Sequence, residues 1–453
     1  MSTVPVPSAD PREQITRRAL AVWLTAVTVY ISAIAGRTSF GVAGVEAMDR
    51  FGVDASRVAV FTAVQVGVYA LSQIPVGLII DKVGPRRTMV LGALIMAAGQ
   101  VTLALTEMYA IAIVARVLIG AGDATAFLSA MRLLPAWFPI RTTPMFTQLT
   151  AGLGQLGQFL SAVPFLALLH GPGWTAAFLT LGSAGALVAL AAAIAVADTP
   201  DAPRRRAFRR PGATTPSENL GSGDSSGAAA PADRPGIGAM LGIVLRHPVC
   251  WQGFFTHWVG LLHQAVFTML WGMPLMTLGM GLDPAEAGGV LVANTAATVL
   301  AGPLLGVASA RFGARRMRLA FVLGLVLMGM WVWFLIPTTP RGLVAVVLLN
   351  IGMAALTPMS NYGFDSVREN LDRRVLATGT GLSNMGGFVA AMIAAQGIGL
   401  LLDYSADDGT YDWGDFRFAW LALGAVWAAG FTGLLASRRA VWKSLQPMTT
   451  ELK

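Results

Sequence analysis

Long apolar stretches alternate with short polar ones along most of the chain. A helix needs about 20 apolar residues to cross a hydrocarbon core of about 30 Å, and twelve stretches are long enough. They lie near residues 19–43, 57–80, 88–106, 109–131, 143–169, 174–197, 249–279, 286–310, 317–336, 341–363, 374–402 and 416–437. The pattern therefore predicts an all-α integral membrane protein with twelve transmembrane helices.

One polar segment differs from the others and divides the chain. Residues 198–246 are rich in Pro, Gly, Ser, Ala and Arg and lack apolar periodicity, which predicts a flexible cytoplasmic linker. It separates a six-helix bundle at 19–197 from a second one at 247–437. Residues 1–18 and 438–453 are expected to be cytoplasmic tails. The first apolar stretch is too long for a signal-peptide core and lacks an obvious cleavage site, so we expect it to remain as helix 1.

Composition and charge support a membrane protein. Hydrophobic residues make up 55% of the chain and charged residues 12%, against about 25% charged in soluble domains, which excludes an ordinary soluble enzyme. The net charge is +8, and with the N-terminus inside, 26 of the 32 lysines and arginines fall on the inner side. This bias predicts cytoplasmic termini and a multi-pass protein of a bacterial inner membrane, and no nucleic-acid partner.

The two halves contain related segments. The loop after helix 2 reads GLIIDKVGPRR from Gly77, and the loop after helix 8 reads GVASARFGARR from Gly306, 229 residues later. At the same offset, residues 152–159 read GLGQLGQF and residues 381–388 read GLSNMGGF. Two unrelated segments at one offset indicate that the halves are copies, as in transporters whose site lies between two repeats at the midplane.

The segment GLIIDKVGPRR resembles the loop motif of the major facilitator superfamily. The resemblance implies a major facilitator fold of two pseudo-symmetric halves, which transports by alternating access. It also implies a gate in which helices 2 and 11 pack at a glycine and an acid caps helix 11, with the two arginines beside that acid. The gating residues are Gly77, Asp81, Gly84, Arg86 and Arg87. The second copy departs from the motif at Ala310, and a simple loop-capping role is the alternative.

A narrower resemblance lies in the first half. GRTSFGVAG in helix 1, YALSQIPVG in helix 2 and RVLIGAGDATAF in helix 4 together resemble the anion:cation symporter family, which includes proton-driven carriers of organic anions. This likeness implies that Arg37 binds a substrate carboxylate and that Asn384 contacts substrate. Gly36 stands where the family often has an aspartate. The segments GLGQLGQF and GLSNMGGF also resemble nitrate/nitrite porters, but the arginines of those porters in helices 2 and 8 are missing.

Three charged residues lie inside the first six apolar stretches, away from their ends: Arg37, Arg116 and Asp123. A charge at the bilayer centre costs at least about 2.5–3.5 kcal/mol, so such residues face a cavity or a partner. Arg116 and Asp123 are two helical turns apart on one face. We expect Asp123 to carry the proton and an Arg116–Asp123 contact to switch during transport. The alternative is a fixed structural ion pair.

Uncharged polar residues complete the candidate site. The predicted substrate-binding set is Arg37, Tyr69, Gln73, Arg116, Gln155, Gln264 and Asn384. Hydrogen bonding between helices, worth about 0.6 kcal/mol on average, is the alternative for each uncharged member. His257 and His263 lie on different helix faces without further ligands, so no metal site is expected; His263 is an auxiliary candidate for proton or substrate binding.

Together these features predict a secondary transporter, working as a monomer, that couples uptake of a small organic anion to a proton gradient. No cofactor and no enzymatic activity are expected. The first alternative is a proton-coupled efflux antiporter for drugs or metabolites, although helix 5 lacks the Gly-Pro signature of many antiporters. The second alternative is a membrane sensor or scaffold built on a transporter fold.

Overall fold

The computed structural model describes residues 14–53, 55–200, 236–405 and 411–445. Every regular element in these ranges is helical, and twelve helices are long and apolar enough to cross a membrane, which confirms the predicted fold class. In chain order they are α1 Arg17–Gly41, α2 Val60–Val83, α3 Pro85–Leu105, α4 Tyr109–Trp137, α5 Thr143–His170, α6 Trp174–Ala195, α7 Pro248–Gly279, α8 Ala285–Phe312, α9 Arg316–Leu335, α10 Leu343–Asn370, α11 Leu376–Leu402 and α12 Trp413–Ser444.

The twelve helices form two bundles, α1–α6 and α7–α12, each with its own apolar core. Fully buried aromatic rings lie in both cores, and van der Waals packing is a main force that holds helices together in a membrane. Phe40, Phe61 and Phe178 belong to the first core. Trp331 and Phe416 belong to the second. Each bundle can therefore move as a packed unit.

Two helix pairs join the bundles: α2 packs along α11, and α5 packs along α8. A Cβ placed on Gly77 would lie 2.6 Å from the Cα of Thr378. A Cβ on Gly306, its repeat partner, would lie 2.9 Å from the Cα of Met145. Only glycine permits such a close approach of two backbones. The repeat thus places equivalent glycines at the two joints between the bundles.

Several helices depart from regular α geometry near the middle of the bundle. π-helical turns occupy Ser161–Phe165 in α5 and both Phe267–Trp271 and Leu275–Gly279 in α7. A 3₁₀ turn occupies Thr357–Asn361 in α10. Pro164 and Pro274 lie within or beside the π turns and remove backbone donors there. Such turns often mark functional positions, and these three helices all line the central cavity described below.

The end of the predicted linker is ordered. Ile237–Arg246 forms a helix that buries Met240 and Val244, one turn apart, against α7 and α11. The prediction of irregular chain throughout 198–246 is therefore wrong for these ten residues, because tertiary packing stabilises a helix too short to show a periodic pattern. A short helix also occupies Gly44–Phe51, between α1 and α2. Residues 201–235, most of both tails and the loop at 406–410 lie outside the described residues.

Candidate functional site

A cavity of about 260 Å³ lies between the two bundles. Its walls come from α1, α2, α4 and α5 on one side and from α7, α8, α10 and α11 on the other. Five of the predicted substrate-binding residues line it: Arg37, Tyr69, Gln155, Gln264 and Asn384. Gln155 and Asn384, the repeat partners, are both in its wall. Among the described residues that line the cavity, Arg37 is the only arginine, lysine, aspartate or glutamate.

Arg37 binds Asp123 through two parallel hydrogen bonds. Its Nε donates to Oδ2 at 2.6 Å and its Nη2 donates to Oδ1 at 2.8 Å. The Arg37 side chain is 12% exposed, whereas the Asp123 side chain is fully buried. The ring of Tyr69 lies 4.4 Å from Arg37 Cζ, within the range of a cation–π contact. Arg37 therefore lies at the cavity surface, with Asp123 behind it.

Arg116 is buried away from the cavity. Its Nε donates to the backbone oxygen of Phe61 at 3.5 Å, and its Cζ lies 4.5 Å from the centre of the Phe40 ring. The structure shows no ion pair for Arg116 within the described residues, and its Nη1 has no hydrogen-bond partner there. The Arg116–Asp123 contact is therefore not formed in this conformation, its predicted switching stays a prediction, and Arg116 is not among the described residues that line the cavity.

The crossing of the helices explains this difference. Two turns along α4, about 10 Å of helix rise, separate Arg116 from Asp123. A Cβ on Gly120, midway between them, would lie 2.7 Å from the backbone oxygen of Gln65, so α2 fills the space there. Helix α1 instead brings Arg37 to Asp123. Sequence spacing shows which residues share one helix face, but only packing decides which partner comes from another helix.

Asn384 links the two bundles at the edge of the cavity. Its Nδ2 donates to the hydroxyl oxygen of Tyr69 at 3.1 Å and to Oε1 of Gln73 at 2.7 Å. The Gln73 Nε2 in turn donates to the backbone oxygen of Tyr69 at 2.9 Å. Gln73 is fully buried and does not line the cavity. It acts on the site by holding Asn384 in position.

The wall formed by the second bundle is polar and uncharged. Gln264 and Asn294 line the cavity and hydrogen-bond through their side-chain amides. Asn294 Nδ2 also donates to Oδ1 of Asn350 at 3.1 Å, which lies behind the wall. Asn294 is a wall residue outside the predicted binding set. The sequence marks Asn294 as a polar residue within an apolar helix. That feature alone does not distinguish residues that line a cavity from residues that pack between helices.

Asp81 caps the first turn of α11. It lies at the end of the molecule where α1 begins and α12 ends, which we call the terminal end. Its carboxylate accepts hydrogen bonds from the backbone N–H groups of Ala377 at 3.0 Å and Thr378 at 2.8 Å. The Thr378 hydroxyl donates to it at 2.8 Å. A carboxylate at a helix N-terminus also interacts favourably with the helix dipole. This contact joins α2 and α11 beside the close approach of Gly77.

The arginines of the loop motif lie elsewhere than predicted. The cation beside Asp81 is Arg132 of α4, whose Nε lies 3.6 Å from Oδ1. Arg86 donates its backbone N–H to Asp198 at 2.8 Å, and its guanidinium donates to the backbone oxygen of Ala193. Arg87 is exposed. The prediction that Arg86 and Arg87 flank Asp81 is wrong, because α3 begins at Pro85, after the sharp turn at Gly84 with φ +98°, and leads both arginines away.

A second set of contacts closes the terminal end between α5 and α10. Gln148 Nε2 donates to the backbone oxygen of Pro358 at 2.7 Å, and Asn361 Nδ2 donates to Gln148 Oε1 at 2.8 Å. Arg368 Nη1 donates to the hydroxyl oxygen of Thr147 at 3.2 Å. Gln148, Pro358 and Asn361 also line the central cavity, so these contacts form part of its wall. Neither Gln148 nor Asn361 was in the predicted site.

Twelve apolar helices in two related bundles around a central cavity are the architecture of a secondary transporter. A family model described as Major Facilitator Superfamily matches residues 26–395. The chain therefore belongs to this family of membrane transporters.

Two curated relatives share part of the chain. The probable sulfoacetate transporter SauU of Cupriavidus necator is 26% identical over 173 residues, 38% of this chain and 40% of the relative. The probable L-galactonate transporter of Escherichia coli strain K12 is 23% identical over 175 residues, 39% of this chain and 38% of the relative. Each match thus spans about two fifths of the relative's length.

Solved structures share the whole fold. A crystal structure of the Escherichia coli fucose:proton symporter FucP has a TM-score of 0.66 and 13% identity, covering 93% of this chain and 99% of that one. A structure of FucP in the outward conformation has a TM-score of 0.62 and 13% identity with the same coverage. At these identities the similarity concerns the fold alone.

Proposed function

We propose that this protein is a proton-coupled symporter for a small organic anion. One observation carries the proposal: among the described residues, the one guanidinium in the cavity wall is held by a buried carboxylate, Asp123. Arginine binds a carboxylate through the same two N–H groups that Asp123 now occupies. An incoming anion and Asp123 therefore compete for Arg37. Protonation of Asp123 removes its charge and releases Arg37 for the anion.

An unpaired charge inside a membrane is costly, and this cost couples the binding of the proton to the binding of the anion. Without ligands, Arg37 is neutralised by Asp123; with both a proton and an anion bound, it is neutralised by the anion. A proton alone leaves a buried cation without its partner, and an anion alone leaves two carboxylates at one arginine. Both are expensive in a medium of low polarity. Arg116 keeps the same charge throughout and makes no contact with this pair.

The relatives support the anionic substrate. One is named for sulfoacetate and one for L-galactonate, and both compounds are small organic anions. The residues that resemble the anion:cation symporter family include Arg37 and Asn384, which both line the cavity. We therefore propose membership of that narrower family. The cavity of about 260 Å³ is of a size for a small acid and is complete within one chain, in keeping with a monomer.

The distribution of arginine supports a bacterial inner membrane with both termini in the cytoplasm. In that orientation the contacts of Asp81 and Gln148 close the cytoplasmic side. Alternating access then requires both sets to break as the bundles rotate. The residues around Gly77 and Asp81 act in this proposal as the gate between α2 and α11.

The proposal is tested by the thermal stability of the purified protein with organic acids and lipophilic cations at two pH values. We expect anions to raise the melting temperature, more at the lower pH, and Arg37→Ala to abolish the effect. Arg141→Ala, an exposed arginine, serves as the control. Stabilisation by lipophilic cations alone would support efflux instead. No stabilisation by any compound would favour a sensor or scaffold.

A further inference from the structure

Among the described residues of the cavity wall, His257 of α7 is the one with a buried polar atom that lacks a hydrogen-bond partner. Its Nε2 is buried and has no hydrogen-bond partner within the described part of the chain. Other buried atoms without partners belong to residues such as Gln65 and His263, which do not line the cavity. A buried polar group without a partner is rare in folded proteins and calls for an explanation. Because His257 lines the cavity, a ligand bound there is a candidate for the missing partner once it reaches Nε2.

The other ring nitrogen defines what His257 can offer. Its Nδ1 lies 3.4 Å from the backbone oxygen of Ser360. A carbonyl oxygen only accepts hydrogen bonds, so Nδ1 carries the proton in the neutral ring. Nε2 then holds a lone pair and is a hydrogen-bond acceptor. A neutral His257 therefore matches a donor group such as a hydroxyl, and does not match a second carboxylate.

Arg37 and His257 both lie near the ring of Phe388. The centre of the Phe388 ring lies 5.9 Å from Arg37 Cζ and 6.5 Å from the centre of the His257 ring. The His257 ring also packs on Phe364, with centres 4.9 Å apart, which fixes its orientation. Arg37 belongs to the first bundle and His257 to the second. A molecule bound in the cavity beside Phe388 therefore lies near both residues.

We propose that His257 is a specificity-determining residue that accepts a hydrogen bond at Nε2 from a hydroxyl group of the transported anion. This rests on the proposed function, in which the carboxylate binds Arg37. The site then prefers a hydroxy acid to the same acid without hydroxyl groups, because the latter leaves Nε2 unpaired. The carboxylate then binds Arg37 in the first bundle and the hydroxyl group binds His257 in the second. A hydroxy acid therefore bridges the two bundles.

The test measures the dissociation constants of L-galactonate and hexanoate, which have equal carbon chains, for the full-length protein in detergent. His257→Phe keeps the ring and loses the acceptor, whereas His257→Gln keeps an acceptor. We expect His257→Phe to weaken L-galactonate binding about tenfold and to leave hexanoate within about twofold. His257→Gln should keep most of the affinity for L-galactonate. His263→Phe, an equally buried histidine outside the cavity wall, is the matched control.

Retained hexanoate binding shows that a variant is folded. The proposal is overturned if His257→Phe weakens both acids equally or neither, or if the unaltered protein binds L-galactonate no better than hexanoate. These outcomes are distinct from failure of the proposed function. Anion binding, on which that function depends, fails if no organic anion stabilises the protein in a manner that depends on Arg37.

Discussion

Arg37 in α1 and Asp123 in α4 form a bidentate ion pair, with N–O distances of 2.6 and 2.8 Å, at the wall of the central cavity. Asp123 is fully buried behind Arg37, so each group supplies the charge that the other needs inside the membrane. Removing either partner leaves an uncompensated charge. Variants of this pair therefore test most directly whether proton transport is coupled to anion transport.

Asp123→Asn keeps the shape of the side chain but cannot bind or release a proton. The variant resembles the protonated state, in which Arg37 is free for an anion. We expect it to lose accumulation driven by a pH gradient and to keep exchange of substrate across the membrane, within about threefold. Uptake and counterflow of a radiolabelled anion in proteoliposomes measure the two activities.

Glu107→Gln is the control for this prediction, because Glu107 is an exposed acid with 78% of its side chain accessible. It should leave both activities unchanged. Normal accumulation by Asp123→Asn under a pH gradient would contradict the proposed proton carrier.

Asp81→Ala removes three hydrogen bonds to the first turn of α11. It also leaves Arg132 without its nearby carboxylate. We expect transport to fall at least about tenfold, because the terminal end can no longer close firmly, while insertion into the membrane is unchanged. Transport rate and the amount of monodisperse protein after extraction are the measurements.

Asp372→Ala is the matched control, since Asp372 is exposed near the same end and caps only its own loop through Arg374 N–H. It should transport normally. Full activity of Asp81→Ala would show that the carboxylate merely caps a helix.

Arg116→Met replaces a buried cation by an apolar side chain of similar length. Because Arg116 does not line the cavity, we expect anion affinity to stay within about threefold, in contrast to Arg37→Ala. The melting temperature should be unchanged or higher, since no carboxylate within the described residues pairs with this arginine. Calorimetric titration with an anion, together with thermal unfolding, tests both points. If a stable Arg116→Met variant no longer bound the anion, Arg116 would have to contribute to substrate binding, contrary to this prediction.

The fold was largely predictable from hydrophobic pattern alone. Each stretch of about 20 apolar residues must form a helix in a membrane, because the chain has no water to satisfy its backbone groups there. The structure confirms all twelve. The short helix at Ile237–Arg246 was missed, since its stability comes from burying Met240 and Val244 against other helices.

The candidate site was predictable only in part. Arg37, Tyr69 and Asn384 stood out as polar groups in apolar helices, and they line the cavity. The same signal also selected Gln73 and Arg116, which are buried behind it. Polarity within a helix marks a residue that needs a partner, but it does not say whether that partner is another helix or a ligand. Their functional roles stay predictions until the variants are measured.

The sequence by itself determined the number of spans, the two related halves and the presence of three charges inside the apolar stretches of the first half, because hydrophobic length, repeats and residue identity are properties of the chain. Only the tertiary structure decided the partners: Asp123 with Arg37, Asp81 with α11 and Arg132, and His257 at the cavity wall. These pairs join helices far apart in the chain, whose crossing depends on how glycines and large side chains pack. A pattern read along one helix contains no information about that crossing.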